Sequence, residues 1–236
     1  MNTPLLPHDS GPIYRETLLG RFPVEPWNTW SNIVFLLVVA YWAWRVYPHT
    51  RRHGFLAGAL PVLFLGFVGG TVFHGTRSHE AWLLMDWVPI VVLCMACMVL
   101  FARRAQVAWP LLIFLFALPF MLRYVLLHVL RLPVTVVMNS GYALLGLTVL
   151  LPIMLHLRRN HWRHWRWMAA SALCFGLAVT FRSLDRSELL LWLPMGTHWL
   201  WHTFGGVAVH FLIGYIWWDD AGRASMRRTS ETAVRP

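Results

Sequence analysis

The sequence predicts an all-α membrane protein, a seven-transmembrane helix bundle with its N-terminus outside and its C-terminus cytoplasmic. Three observations predict it. The 236 residues are 58% hydrophobic and 13% charged, against the quarter or so of charged residues usual in soluble domains. Apolar segments, each near the roughly 20 residues that a bilayer core requires, recur along the whole length. The connections between them carry arginine in alternation, which sets the sidedness of a bundle.

The segments lie at 27–46, 55–74, 82–103, 107–130, 134–157, 167–182 and 197–218. Trp residues at several of their ends suit the interfacial belt. Arg51, Arg52 and His53 follow the first segment, Arg103 and Arg104 the third, and Arg158, Arg159, Arg163 and Arg166 the fifth. Arg223, Arg227 and Arg228 follow the last. All these connections fall on one side, which the positive-inside bias makes cytoplasmic. The opposite connections are less basic, Arg77 being offset by Glu80 and Arg186 by Asp185 and Glu188. Three regions result: 1–26, expected to cap the outer face; 27–218, the seven-helix domain; and 219–236, a polar tail expected to be disordered. Residues 1–26 lack a basic start followed by an apolar run, so they are expected to be retained, in a multi-pass protein of the inner (plasma) membrane.

The formal charge of +10 does not point to nucleic acid, because the basic residues sit in short connections between apolar segments. The run His161-Trp162-Arg163-His164-Trp165-Arg166-Trp167 interleaves bases with aromatics, but it joins two hydrophobic helices on the basic side, where Trp and Arg anchor to headgroups. Cys94, Cys97 and Cys174 lie in apolar helices, whereas redox chemistry needs an exposed, electropositive thiolate. Nothing in the pattern specifies an oligomeric state.

Within this frame the polar residues acquire depths. His198 and His202 stand four apart in an apolar helix, stacked on one face. The second segment runs outward to His74 and the seventh starts outside with the His pair, so all three imidazoles share one leaflet. Polar side chains at such depth need partners. Three neutral imidazoles with a fourth position open to water form the ligand set of a catalytic zinc. Asp86, the only carboxylate in the outer part of the helices beyond the first, can carry a proton for that water; the alternative is an ion pair with Arg123 or Arg182. His79, in a loop, is a rival third ligand ranked below His74. His128 has no partner at ligand spacing. Glu25, Asn28 and Asn32 line one face of the first helix, either as interhelical hydrogen bonds or near the site, and Tyr14, Arg15 and Glu16 precede them.

Taken together, Glu25-Pro26-Trp27-Asn28-Thr29-Trp30-Ser31-Asn32, Phe73-His74, Asp86-Trp87-Val88-Pro89-Ile90 and His198-Trp199-Leu200-Trp201-His202 resemble the alkaline ceramidase family. That family belongs to the CREST superfamily of seven-helix membrane hydrolases, related to the adiponectin receptors. The resemblance implies an intramembrane zinc amidase that cleaves ceramide, or a related N-acyl lipid, into a fatty acid and an amine-bearing lipid. It implies His74, His198 and His202 as zinc ligands and Asp86 as the proton carrier.

Three departures from that family stand out. Its Ser four residues before the first zinc His is Gly70 here, with Thr71 offering a hydroxyl one residue later as a candidate catalytic group. Its calcium pattern maps to Glu16 and Glu25, but Ile13, Arg15 and Leu18 replace the other ligands. Arg15 thus brings a positive charge to the cation's place, and calcium is not expected. The spacing from His74 to Asp86 is one residue longer. Two readings follow: a zinc-dependent lipid amide hydrolase, supported by Arg123 and the Glu25-Asn28-Asn32 face, or a receptor-like or lipid-binding protein with a structural zinc. A transporter would need an inverted repeat or broken helices, and neither is present.

Overall fold

The computed structural model describes residues 7–233, and the side chains of all of these except Thr135 and 225–233. Positions 1–6 and 234–236 of the two expected terminal segments lie outside the described residues. Every regular element among the described residues is helical. Seven long helices follow one another: α1 (Pro26–His49), α2 (Gly54–Thr76), α3 (Glu80–Arg104), α4 (Trp109–Val129), α5 (Val134–Arg159), α6 (Trp165–Leu184) and α7 (His198–Ala233). The first six are long and apolar enough to cross a membrane. α7 is long enough, but His198, His202, His210, Asp219 and Asp220 dilute its apolar character. The architecture is that of a multi-pass membrane protein.

α1 opens on Pro26, whose missing N–H would have had no helical partner, and is interrupted at Asn32. Pro61, Pro89, Pro119 and Pro152 sit inside α2 to α5, as membrane helices tolerate where neighbouring groups compensate. The helices close a ring in the order α1, α2, α3, α5, α6, α7, in which α7 packs back on α1. α4 stays outside, resting mainly on α5, and shows Ile113, Phe114, Phe116 and Phe120 to the surroundings. α5 and α6 make few contacts, and a cavity of about 530 Å³ lies between the helices of the ring.

One expectation needs correcting. The seventh helix does not end at Trp218 but continues to Ala233, so the expected disordered tail is helical as far as it is described. Asp219 accepts hydrogen bonds from Arg104 Nη1 at 2.7 Å, Asn160 Nδ2 at 2.9 Å and His156 Nε2 at 3.0 Å. Asp220 pairs with Arg104 and, at 3.2 Å, with His53, whose ring stacks on Trp217 at 3.7 Å. This knot joins α3, α5, α7 and the α1–α2 connection at the basic end of the bundle, and carries the helix past its apolar stretch.

Candidate metal centre

At the opposite end of the bundle three buried imidazoles converge. His74 comes from the last turn of α2, and His198 and His202 from the first two turns of α7. One ring nitrogen from each lies within 4.8 Å of the others. The ring centroids are 4.7 to 5.3 Å apart.

Each ring is held from behind. His74 Nδ1 lies 2.5 Å from Glu25 Oε2. An ionised carboxylate can only accept, so Nδ1 carries the hydrogen and Nε2 keeps its lone pair. That Nε2 is buried and has no partner. His202 Nδ1 lies 3.0 Å from the backbone carbonyl of Asn28 and 2.8 Å from Ser31 Oγ. The carbonyl too can only accept, so again the far nitrogen is the basic one. His198 is clamped by Tyr14, whose ring stacks on it at 3.8 Å, and its Nδ1 is buried without a partner. Buried polar atoms almost always find a partner; two unpartnered ring nitrogens among three clustered imidazoles fit a metal ion. Hydrogen bonds on the remote ring nitrogens are the support that metal-ligating histidines ordinarily have.

The entry of the chain into α7 is built for this placement. Asp185 Oδ1 accepts the N–H groups of Thr197 at 2.8 Å and His198 at 2.9 Å, capping the helix where its amides have no internal acceptor. Gly196 sits beside it at φ +67°, where a Cβ would fall 2.3 Å from that same carboxylate oxygen. α1 is capped likewise: Glu16 accepts from the N–H of Asn28 at 2.6 Å and of Trp27 at 2.9 Å.

Asp86 forms no ion pair with Arg123 or Arg182. It packs against bare backbone instead. A Cβ on Gly70 would lie 2.5 Å from Asp86 Oδ1 and 3.0 Å from Asn32 Oδ1, so the carboxylate takes the room that a side chain at position 70 would need. Asp86, Asn32 and His202 all border the cavity. Asn28 is buried; it donates to Glu25 at 3.2 Å and, through its carbonyl, also holds Asn32.

The remaining candidates are dispersed. Thr71 Oγ1 is buried without a partner, and Thr71 is absent from the cavity lining. Arg123 is exposed on the peripheral α4. His79 is exposed and its Nδ1 accepts the N–H of Ala81, capping α3, and His128 is exposed on α4. Arg182 lies over the rings of Tyr142 and Trp201 at 4.5 and 5.3 Å.

Arg15 does not meet Glu16 or Glu25. Its guanidinium donates to the carbonyls of Ser187, Leu190 and Asp185 at 2.6 to 3.0 Å, tying the N-terminal segment to the α6–α7 connection. The guanidinium at Glu25 belongs to Arg77, 2.7 Å away. Ser31, Arg77 and Asp185 are the supporting residues that sequence reasoning missed. Tyr14 lies in the N-terminal segment expected to cap the outer face, just ahead of the polar face of α1.

No curated protein matches the chain. A family model described as Ceramidase matches residues 20–234. That stretch holds all seven helices, the three imidazoles and Asp86, and on it the chain belongs to the ceramidase family.

Proposed function

We propose that the protein is a zinc-dependent intramembrane hydrolase of a lipid amide, ceramide or a related N-acyl lipid, releasing a fatty acid and an amine-bearing lipid. The observation that carries this reading is the junction of three metal-ready imidazoles with an apolar cavity. His202 and Asp86 stand at its head, and Leu56, Ile153 and Ile216 at its far end. His202 and Ile216 are fourteen residues apart on α7, about 21 Å at 1.5 Å per residue. Such a slot suits a single long alkyl chain with its polar junction at the imidazoles. Family membership supports the amide as the bond cleaved.

His74, His198 and His202 would hold the metal. Zinc, when bound, supplies Lewis acidity toward the amide carbonyl and makes a water acidic near neutral pH. The protein's own part is positional. Glu25, Asn28 and Ser31 orient the rings, Tyr14 and the stacked N-terminal segment keep bulk water away, and the apolar cavity aligns the acyl chain. Asp86 accepts the proton of the attacking water and returns it to the departing nitrogen. Loop charge supports an orientation with the N-terminus outside, the C-terminus cytoplasmic and the active site near the outer leaflet of an inner (plasma) membrane.

A receptor-like or lipid-binding protein with a structural zinc is the second reading, favoured by Gly70 where the family has Ser. Lipid mass spectrometry of membranes incubated with the protein separates the two. Amide cleavage is expected from the native chain, none from His198→Ala, and a loss of about 10²- to 10⁴-fold from Asp86→Asn with metal content unchanged. Full turnover by His198→Ala would remove the metal-dependent mechanism, and full turnover by Asp86→Asn would remove Asp86 from the proton transfer.

A further inference from the structure

Arg77 is the largest fully buried side chain among the described residues, 1% exposed, and it stands three residues after His74. All five N–H donors of its guanidinium are engaged. Nε and Nη2 fork onto the carboxylate of Asp9 at 2.9 and 2.5 Å. Nη2 also donates to the Gly11 carbonyl at 3.2 Å. Nη1 donates to the Pro12 carbonyl at 3.0 Å and to Glu25 Oε1 at 2.7 Å. The other oxygen of that Glu25 holds His74 Nδ1. The Phe73 ring lies 4.7 Å from the guanidinium carbon. Burial opposes the charge of Arg77, but Asp9 and Glu25 outweigh it and raise its pKa above the ordinary value.

The backbone reaches this position at a cost. Arg77 closes α2 in the left-handed region, φ +49°, a conformation that glycine usually supplies at a helix end. Five hydrogen bonds from the guanidinium hold the arginine there. Its partners Asp9, Gly11 and Pro12 precede residue 20, where the family match begins; they form a strap, further fixed by Ser10, which donates to Glu80 twice at 2.8 Å.

We propose that Arg77 acts as a built-in cation, a positioning residue that clamps Glu25 between itself and His74 and so holds His74 Nε2 on the metal. The surrounding donor set of two carboxylates and two carbonyls is one that a hard divalent cation also takes; the guanidinium makes such an ion unnecessary. The inference rests on the three imidazoles binding a metal.

The test is metal affinity of the purified full-length protein in detergent, measured by competition against a chelator, with the visible spectrum of the cobalt-substituted form as a report on ligand geometry. Arg77→Gly suits the left-handed backbone and removes the guanidinium. It is expected to lower zinc affinity about 10- to 100-fold, the range for losing an outer partner of a ligand, and to change the cobalt spectrum. Added guanidinium or calcium should restore both in Arg77→Gly and leave the native protein unaffected. Arg77→Lys, which keeps the charge but cannot bridge Asp9 and Glu25, should also bind more weakly. Native affinity in Arg77→Lys overturns the proposal even if Arg77→Gly fails to fold. Weakened binding that neither guanidinium nor calcium restores overturns it too, as that would be general loosening. Should the native protein hold no metal, the reading of the imidazoles falls and takes the clamp with it; native-like binding in Arg77→Gly removes the clamp alone.

Discussion

The bundle has a polar cluster at each end, and both are built from histidines, carboxylates and arginine. At one end Arg104, His53, His156, Asn160, Asp219 and Asp220 pair with one another. At the other, His74, His198 and His202 cluster together, and Glu25 and the Asn28 carbonyl each take up one nitrogen of His74 and His202 and leave the second without a protein partner. In the first cluster the carboxylates bond directly to Arg104 and to the imidazoles, so these donors and acceptors are used up within the protein and bind helices together. In the second, the carboxylate stands behind the imidazole, and the basic nitrogen is left over. The same residue types make a fastening in one arrangement and a ligand set in the other. The deciding variable is whether each acid lies between or behind the nitrogens.

Substituting one histidine from each cluster should give the largest contrast. His202→Ala is expected to lose the metal and, with it, detectable amide hydrolysis, whereas His156→Ala should still bind one metal per chain, as elemental analysis of the purified proteins would show. Equal metal content in the two variants would erase the distinction between the clusters. A smaller effect, on stability, is expected from Asp219→Asn. Breaking a buried ion pair on one side costs about 3–5 kcal/mol, so the thermal midpoint should fall clearly while metal stoichiometry stays at the native value. The smallest effect is expected from Ser31→Ala. It removes one of two acceptors on His202 Nδ1 and leaves the Asn28 carbonyl; zinc affinity should fall about tenfold, read by chelator competition. A drop as deep as that of His202→Ala would mean that Ser31 does more than hold the ring.

Much of this molecule is legible in the order of its residues. The helices follow from apolar length, with ends displaced by only a few residues for the first six. The meeting of His74 with His198 and His202 follows from counting crossings. Asp86 and the Glu25-Asn28-Asn32 face follow from the same depth argument. Three features do not. The continuation of α7 past Trp218 starts at Asp219 and Asp220, whose partners Arg104, His156 and Asn160 lie far away in sequence. Arg123 has a suitable depth, but it sits on α4, which packs outside the ring, and depth carries no information about which side of a helix faces inward. The guanidinium at Glu25 is that of Arg77 rather than Arg15, although Arg15 is nearer in sequence to the family's cation pattern.

The sequence by itself determined that long apolar helices recur along the chain and where, within a few residues, the first six begin and end, because hydrophobic length acts locally along the chain. Only the tertiary structure decided which nitrogen of each imidazole is free, what stands behind it, and where Asp9, Tyr14 and Asp185 close the site. Those outcomes are pairings between distant segments, and hydrogen-bond geometry at about 3 Å is set by how helices and connections pack, which no spacing along one segment encodes.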